Sequence, residues 1–209
     1  DYTVLFVHDA QPVVKGADFL TKYRGLVAQV VKGEKKTLSA FEEADAVKYF
    51  ISYYENDITI IDWNAAFVYD PQEGFEVLDV LEYAVIELLE LRAYDTVLDQ
   101  VLERAYEDVG HRRVQNKTLR ELSQVRLDVA SVVEKVENCL KLVGDLYLAK
   151  VYNTAASRFY LDKWKRGVKE KLDVLESLYK VLYERKQTGR MIVLEVLIVI
   201  FFIIDLVLV

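Results

Sequence analysis

The stretch that decides the fold is the apolar segment Met191–Val209, which reads MIVLEVLIVIFFIIDLVLV. Seventeen of its nineteen residues are apolar, and the other two are the acids Glu195 and Asp205. As an α-helix the segment would be about 28 Å long, close to the roughly 30 Å hydrocarbon core of a bilayer. We therefore expect one C-terminal transmembrane helix over residues 191–209, with a buried core helix as the alternative.

The two acids bring the free energy of inserting this helix into a bilayer close to zero. Its apolar residues favour insertion by about 5 to 10 kcal/mol, and two central carboxylates would remove about 5 to 7 kcal/mol of that. Glu195 and Asp205 are ten residues apart, so they lie about 80° apart on one side of a helix. We expect this side to face neighbouring subunits of a homo-oligomer; a proton or ion path that uses both acids is the alternative.

Charge is divided unevenly along the chain, whose net charge is −7. Residues 1–110 carry 9 basic and 22 acidic side chains, whereas residues 111–190 carry 18 basic and 10 acidic ones. Lys and Arg near the end of a span favour the cytoplasmic side. We therefore expect a single-pass, tail-anchored membrane protein whose N-terminal domain lies on the cytoplasmic or mitochondrial-matrix side.

The sequence before the apolar segment predicts two further parts, a small α+β unit over residues 1–74 and a long-helix region over residues 75–190. Alternating and helical apolar spacings define the elements of the first part. In chain order they are a strand over 2–7, helices within 17–32 and 38–50, and strands over 57–63 and 65–69 joined near Asn64. The predicted fold class is thus α+β, with coiled-coil-like helices and a transmembrane helix after the α+β unit.

The long-helix region predicts coiled-coil packing. After a helix over residues 75–109, apolar residues follow in steps of three and four, which is the spacing of a heptad seam. The seam residues are Leu122, Val125, Val129, Val132, Val136, Cys139, Val143 and Leu146. A turn near Asn153 is expected to separate this helix from a third one, which starts near Leu161 and continues towards the apolar segment. We expect the last two helices to form an antiparallel hairpin and the seam to join copies of the chain.

A basic cluster stands near the start of the third helix, with Trp164 among its members and Glu170 opposing them. Its basic residues are Lys163, Lys165, Arg166, Lys169 and Lys171. Helix rise places the cluster roughly 30 to 40 Å above the membrane. The expected partner is an acidic surface of the protein's own N-terminal half; RNA or a ribosome, or lipid, are the alternatives.

The residue pattern argues against an enzyme. The eight glycines are scattered and form no phosphate-binding loop. One cysteine, Cys139, and two histidines, His8 and His111, occur at spacings that suit neither a metal site nor a nucleophile with its base. We expect no catalytic residues, no cofactor or metal, and no small-molecule substrate.

Three segments of the C-terminal half resemble the DUF155 family, which includes mitochondrial and yeast sporulation proteins. They are the helix with Ala84, Leu88, Leu89, Glu90, Leu98 and Asp99, the run Lys171-Leu172-Asp173-Val174-Leu175 with Leu178, and the apolar span with Leu194-Glu195 and Asp205. The resemblance covers residues 75–209 and implies a membrane-anchored homo-oligomer without known catalysis. Mitochondrial members of that family hold ribosomes near the inner membrane.

Together these features predict a non-enzymatic, membrane-anchored scaffold or tether that assembles with itself through its helices and its span. One alternative is an accessory protein of a membrane channel or transporter that uses Glu195 and Asp205. Another is a ribosome or RNA tether at the membrane. The expected partners are further copies of the chain, membrane lipid, and a ribosome or another membrane protein.

Overall fold

A mixed sheet and long helices make up the chain, and the computed structural model describes residues 1–8, 11–71, 74–110, 116–139 and 145–208. In chain order the elements are β1 Thr3–Val7, α1 Gly16–Lys32, α2 Ala40–Ala46, β2 Phe50–Ile51, β3 Ile58–Ile61, β4 Ala65–Tyr69, α3 Glu76–Gly110, α4 Asn116–Cys139, α5 Leu146–Arg158 and α6 Leu161–Leu208. They form two compact units. The first combines Asp1–Arg92 with Lys135–Lys165, and the second combines Ala93–Glu134 with Arg166–Val209.

The sheet of the first unit has the strand order β1-β4-β3-β2. β1 runs parallel to β4, whereas β3 is antiparallel to both β4 and β2. All residues of β3 and β4 are buried, which is why both strands are apolar at every position except Thr59 rather than alternating. A tight turn joins these two strands, closed by the N–H of Asp62, which donates to the carbonyl oxygen of Ala65 at 2.9 Å.

Helix α1 supplies the core on one face of this sheet. Val27, Ala28 and Val31 follow helical spacing and pack with Ile60 and Phe67 in one buried cluster. Gly33 ends the helix with a φ of 67°, a left-handed conformation that glycine adopts without a Cβ clash. Helix α5 packs against β2 and β3.

The second unit contains the C-terminal part of α3, helix α4 and most of α6. Lys171 Nζ lies 3.5 Å from the carbonyl oxygen of Asp95, and Arg185 Nη1 donates to that of Val109 at 2.6 Å. Both pairs are separated by 76 residues, so α3 and α6 run parallel. Arg104 Nη1 of α3 lies 3.1 Å from a carboxylate oxygen of Glu121 of α4, close to the facing ends of these consecutive helices. Helix α4 therefore runs back along α3, antiparallel to α3 and α6.

The structure confirms the predicted fold class, since a small N-terminal sheet precedes long helices. It also confirms that the third helix continues into the apolar segment, because α6 is unbroken from Leu161 to Leu208. The strand β2 lies at the end of the stretch over 38–50 that had been predicted as helical.

Two predicted helix boundaries are wrong. The expected turn near Asn153 lies inside α5, where Asn153 is exposed and the Thr154 hydroxyl donates to the carbonyl oxygen of Lys150 at 2.9 Å. These polar side chains thus lie on the solvated face of a helix. The break occurs at Tyr160, whose φ of 55° is unusual for a residue with a large side chain.

The heptad helix does not extend to Leu146. Asp145 caps a separate helix, α5, and its Oδ1 accepts hydrogen bonds from the N–H groups of Tyr147 at 2.6 Å and Leu148 at 3.2 Å. An aspartate at this position stabilises a new helix start. The described apolar residues at spacings of three and four therefore belong to two helices, α4 and α5, and do not form one continuous seam.

Candidate functional site

The apolar end of α6 is an unusual surface for a folded chain. The most apolar 18-residue window within Leu161–Asp205 has a mean hydropathy of 2.1, and none of it is buried. Large side chains in this segment are widely exposed, such as Phe201 at 69% and Phe202 at 72%. By length and composition, this helix could cross a membrane, as the sequence predicts. Against the part of the chain that the structure describes, this segment is not buried as a core helix.

Glu195 and Asp205 both lie on the exposed part of this segment. The rise of an α-helix separates their positions by about 15 Å along the axis. Their immediate neighbours Leu194 and Val196 are 59% and 52% exposed. Any apolar environment that covers the segment would therefore also surround the two carboxyl groups, and in such an environment a carboxyl group needs a hydrogen-bond partner or a proton.

The structure places the predicted heptad residues in different surroundings. Leu122 and Val129 are fully buried, with 0% and 1% exposure, and Val125 is half-buried. Leu146, at the start of α5, is 68% exposed. The side chains of Val132, Val136 and Cys139 are not among those described, and Val143 lies outside the described residues. The N-terminal part of the seam thus packs inside the chain, in the unit that α4 shares with α3 and α6.

A pair of leucines on α4 tests this inward packing. Leu122→Ala should lower the free energy of unfolding by about 3 kcal/mol, because it leaves a cavity in a closed core. Leu127 is 58% exposed on the same helix, so Leu127→Ala should cost less than about 1 kcal/mol. Urea denaturation of the detergent-solubilised protein, followed by circular dichroism, measures both values. Equal losses would contradict the inward position of the seam.

The basic cluster is partly neutralised inside the chain by acids of α3. Lys165 Nζ lies 2.8 Å from Glu87 Oε1, a carboxylate that is 1% exposed. Lys171 Nζ lies 2.6 Å from a carboxylate oxygen of Asp95 and 2.6 Å from one of Asp99. Burial alone would lower the pKa of Lys171, but its hydrogen bonds to these two aspartates outweigh burial and raise it. Both lysines therefore serve contacts within their own units.

The other members of the cluster lie nearer the surface. Lys163 Nζ is 4.4 Å from the centre of the Tyr160 ring, at cation–π distance. Arg166 and Lys169 are exposed. The basic surface of the cluster is consequently smaller than its sequence indicates.

Glu87 has a second partner in the first unit. The hydroxyl group of Tyr152 on α5 donates to Glu87 Oε2. Burial raises the pKa of Tyr152, and the hydrogen bond to Glu87 raises it further. The carboxylate is therefore held between a tyrosine hydroxyl and a lysine ammonium group, an arrangement that fixes α3 to α5 and α6 in this unit.

The sequence did not reveal a cluster of charged side chains that surrounds the buried Asp62 at the turn between β3 and β4. Its side chain is 2% exposed and accepts a hydrogen bond from Arg158 Nε at 2.8 Å, and Arg158 Nη2 contacts the same oxygen. Lys32 Nζ lies 3.3 Å from Asp62 and 3.2 Å from Asp45. The N–H of Trp63 also donates to Asp62, at 2.7 Å.

This cluster joins α1, α2, α5 and the sheet. Burial raises the pKa of Tyr2, whose hydroxyl donates to the carbonyl oxygen of Asp62 at 3.1 Å, and the charge of Asp62 raises it further. The hydrogen bond from Lys32 lowers the pKa of Asp45, and the positive charges of Lys32 and Arg158 lower it further. Through these contacts with opposite charges and backbone groups, the Asp62 carboxylate links the four elements.

The described residues offer little for small-molecule chemistry. They contain no group of three or more metal-ligand side chains suited to an ion. A groove of about 240 Å³ lies along the start of α1, where Phe19 and Tyr23 contribute apolar surface and Asp18 and Lys22 contribute charges. Its charged side chains are exposed, and the groove presents no nucleophile beside a base.

Comparison with known proteins overturns the resemblance to DUF155. Residues 1–76 match one family model. That family is described as "Uncharacterized protein MJ0711, N-terminal domain". The curated protein MJ0711 of Methanocaldococcus jannaschii, also described as uncharacterized, is 25% identical over 166 residues, which cover 77% of this chain and 51% of the relative. The chain thus spans about half the length of the curated relative it matches.

No solved structure matches the chain. The DUF155 interpretation is wrong because both the family match and the curated relative point to MJ0711 instead. The interpretation depended on scattered leucines and acids in helices and on an apolar span. Amphipathic helices need such residues whatever their ancestry, so these positions could not distinguish one family of helical proteins from another.

Proposed function

We propose that this protein is a non-enzymatic membrane scaffold. A membrane-spanning segment in α6 anchors it, and it assembles with further copies of itself. The observation that carries the proposal is the exposed apolar end of α6. Soluble monomeric proteins rarely expose continuous apolar surfaces larger than a few hundred Å². Lipid is the covering best suited to a helix of this length.

Self-assembly is inferred from the two acids in the apolar segment. Each central carboxylate costs about 2.5 to 3.5 kcal/mol in a lone transmembrane helix. A neighbouring copy of the same helix can supply hydrogen-bond partners for Glu195 and Asp205 and reduce this cost. This supports an interface within the membrane rather than one formed by the buried residues Leu122 and Val129.

We place the part of the chain that precedes the apolar segment on the cytoplasmic or mitochondrial-matrix side of the membrane. Residues 185–190 contain three basic side chains and no acidic one directly before the apolar segment, in agreement with the positive-inside tendency. The ribosome-tether alternative has less support, because Lys165 and Lys171 are engaged with acids of α3. The channel-accessory alternative requires the two acids of the span to titrate, which the following experiments test.

Flotation with liposomes of a neutral phospholipid tests the anchor. The full chain is expected to rise with the lipid and to stay there in carbonate at high pH, as integral proteins do. Recovery of folded protein in the lipid-free fraction would refute the anchor.

Sedimentation equilibrium in mild detergent tests assembly. The wild-type chain is expected to form an oligomer, and Glu195→Leu with Asp205→Leu should raise its dissociation constant by roughly 30-fold, at about 1 kcal/mol for each interhelical hydrogen bond. Glu195→Gln with Asp205→Asn keeps hydrogen-bonding groups and should retain most of the assembly.

A monomeric wild-type chain would contradict the scaffold. Ion or proton flux across liposomes that the Gln/Asn variant abolishes would favour the channel-accessory alternative instead.

A further inference from the structure

The C-terminal end of α3, in the second unit, lies beside α6 just before the apolar segment begins. Arg185 Nη1 donates to the carbonyl oxygen of Val109, near the C-terminus of α3. Arg185 precedes Met191 by six residues, or about 9 Å of helix rise. The headgroup layer extends roughly 5 to 8 Å beyond the hydrocarbon core on each side of a bilayer. If Met191 begins the span, the end of α3 stands at the outer edge of the headgroup layer.

The start of α4 lies at the same end. Glu121 contacts Arg104 of α3, and the direction of α4 places Lys117 one turn nearer to the apolar segment than Glu121. The Lys117 side chain is 80% exposed, and its ion pair with Glu121, at 3.9 Å, is a surface pair. Such pairs contribute little to stability and leave the ammonium group available to other anions. Arg120, on the next turn, is exposed as well.

Two stretches at this end of the unit carry charge of one sign. Residues 116–120 and 185–190 together contain five basic side chains and no acidic one. The basic residues are Lys117, Arg120, Arg185, Lys186 and Arg190. The sequence places only Arg185, Lys186 and Arg190 beside the span, whereas the fold of the second unit adds two from a different helix.

We propose that these five residues form a basic collar that binds the headgroups of anionic phospholipids around the entry of α6 into the bilayer. The inference rests on the proposed membrane anchor. Guanidinium groups pair with phosphate oxygens through two hydrogen bonds, and lysine ammonium groups add point charges. Long Lys and Arg side chains also extend towards the headgroup layer when their backbone lies slightly above it.

The lipid preference of the reconstituted full chain tests the collar. In bilayers of phosphatidylcholine with phosphatidylglycerol, electron paramagnetic resonance of spin-labelled lipids gives the association constant of each lipid with the protein relative to bulk lipid. We expect wild-type protein to favour phosphatidylglycerol. Lys117→Gln with Arg120→Gln should reduce this preference by up to about 25-fold, since each basic residue near an anionic surface is worth about a five-fold change.

The matched control removes the same charge from α6 far from the span. Lys163 and Lys169 are exposed and precede Met191 by at least 22 residues, which is about 33 Å of helix rise. This distance exceeds the Debye length of about 8 Å, so Lys163→Gln with Lys169→Gln should leave the lipid preference unchanged. Circular dichroism establishes that each variant remains folded.

The outcomes separate the collar from the anchor. Two results would overturn the collar alone, provided that the protein still floats with neutral liposomes. One is an unchanged lipid preference in the Lys117/Arg120 variant, and the other is an equal loss of preference in the control. A chain that does not float with neutral liposomes would overturn the anchor and the collar together. A selective loss in the α4 variant, with flotation retained, is the result that the collar requires.

Discussion

Leu197→Lys combined with Ile200→Lys is expected to release the protein from membranes. Both residues lie near the centre of the apolar segment, at 46% and 45% exposure, and neither belongs to the buried core of the described residues. Each lysine at the centre of a span costs about 2.5 to 3.5 kcal/mol and removes about 0.5 kcal/mol of favourable transfer. The combined change in the free energy of insertion, about 6 to 8 kcal/mol, exceeds the small net free energy that favours insertion of the wild-type segment with Glu195 and Asp205.

Liposome flotation of the two variants checks this result. The control is Val174→Lys with Val181→Lys, which adds the same charge to α6 at exposed positions, 39% and 47%, outside the apolar segment. The control should float like the wild-type chain. If the Leu197/Ile200 variant also floats to the same extent, the apolar segment is not what holds the protein on lipid.

The second large effect is expected in the first unit. Arg158→Leu should lower the free energy of unfolding by about 3 kcal/mol, because it removes a partner from the buried carboxylate of Asp62. Lys32 remains as a second partner at 3.3 Å, which keeps the loss at the lower end of the range for broken buried pairs. Urea denaturation followed by circular dichroism gives the value.

An exposed ion pair is the control for Arg158. Lys15 Nζ lies 2.8 Å from Glu55, but the two side chains are 61% and 76% exposed. Lys15→Ala should therefore leave stability unchanged within measurement, since water screens such pairs. In an Asp62→Asn background, Arg158→Leu should cost much less than in the wild-type chain. An equal cost in both backgrounds would show that Arg158 contributes through packing alone.

Local spacing in the sequence predicted most elements of the fold, but not β2 or the separate helix α5. Alternation and continuous apolar runs predicted β1, β3 and β4, and the composition of residues 191–209 predicted the exposed helix. Helix boundaries were harder to predict where a polar side chain could either cap a helix or point to solvent. Asp145 caps a helix, whereas Asn153 lies on the exposed face of one, and only the surrounding packing decides between these roles.

The charged contacts could not be predicted from the sequence. Arg158 and Asp62 are 96 residues apart, and Lys165 meets Glu87 from a different helix. Neighbouring residues give no signal for such pairs, because the partners meet only through the tertiary fold. For the same reason, the sequence predicted an acidic surface of the N-terminal half as the partner of the basic cluster but could not name the acids, of which Lys171 contacts Asp95 and Asp99.

The unbroken course of α6 has a mechanical consequence if its end spans a bilayer. A thinner bilayer makes a span of fixed length tilt more. Helix α6 has no break between the contacts of Lys171 and Arg185 and the apolar segment, so a change of tilt would also turn the part of α6 that holds α3. Membrane thickness would then set the angle between the second unit and the membrane surface, because α6 connects the two without a break.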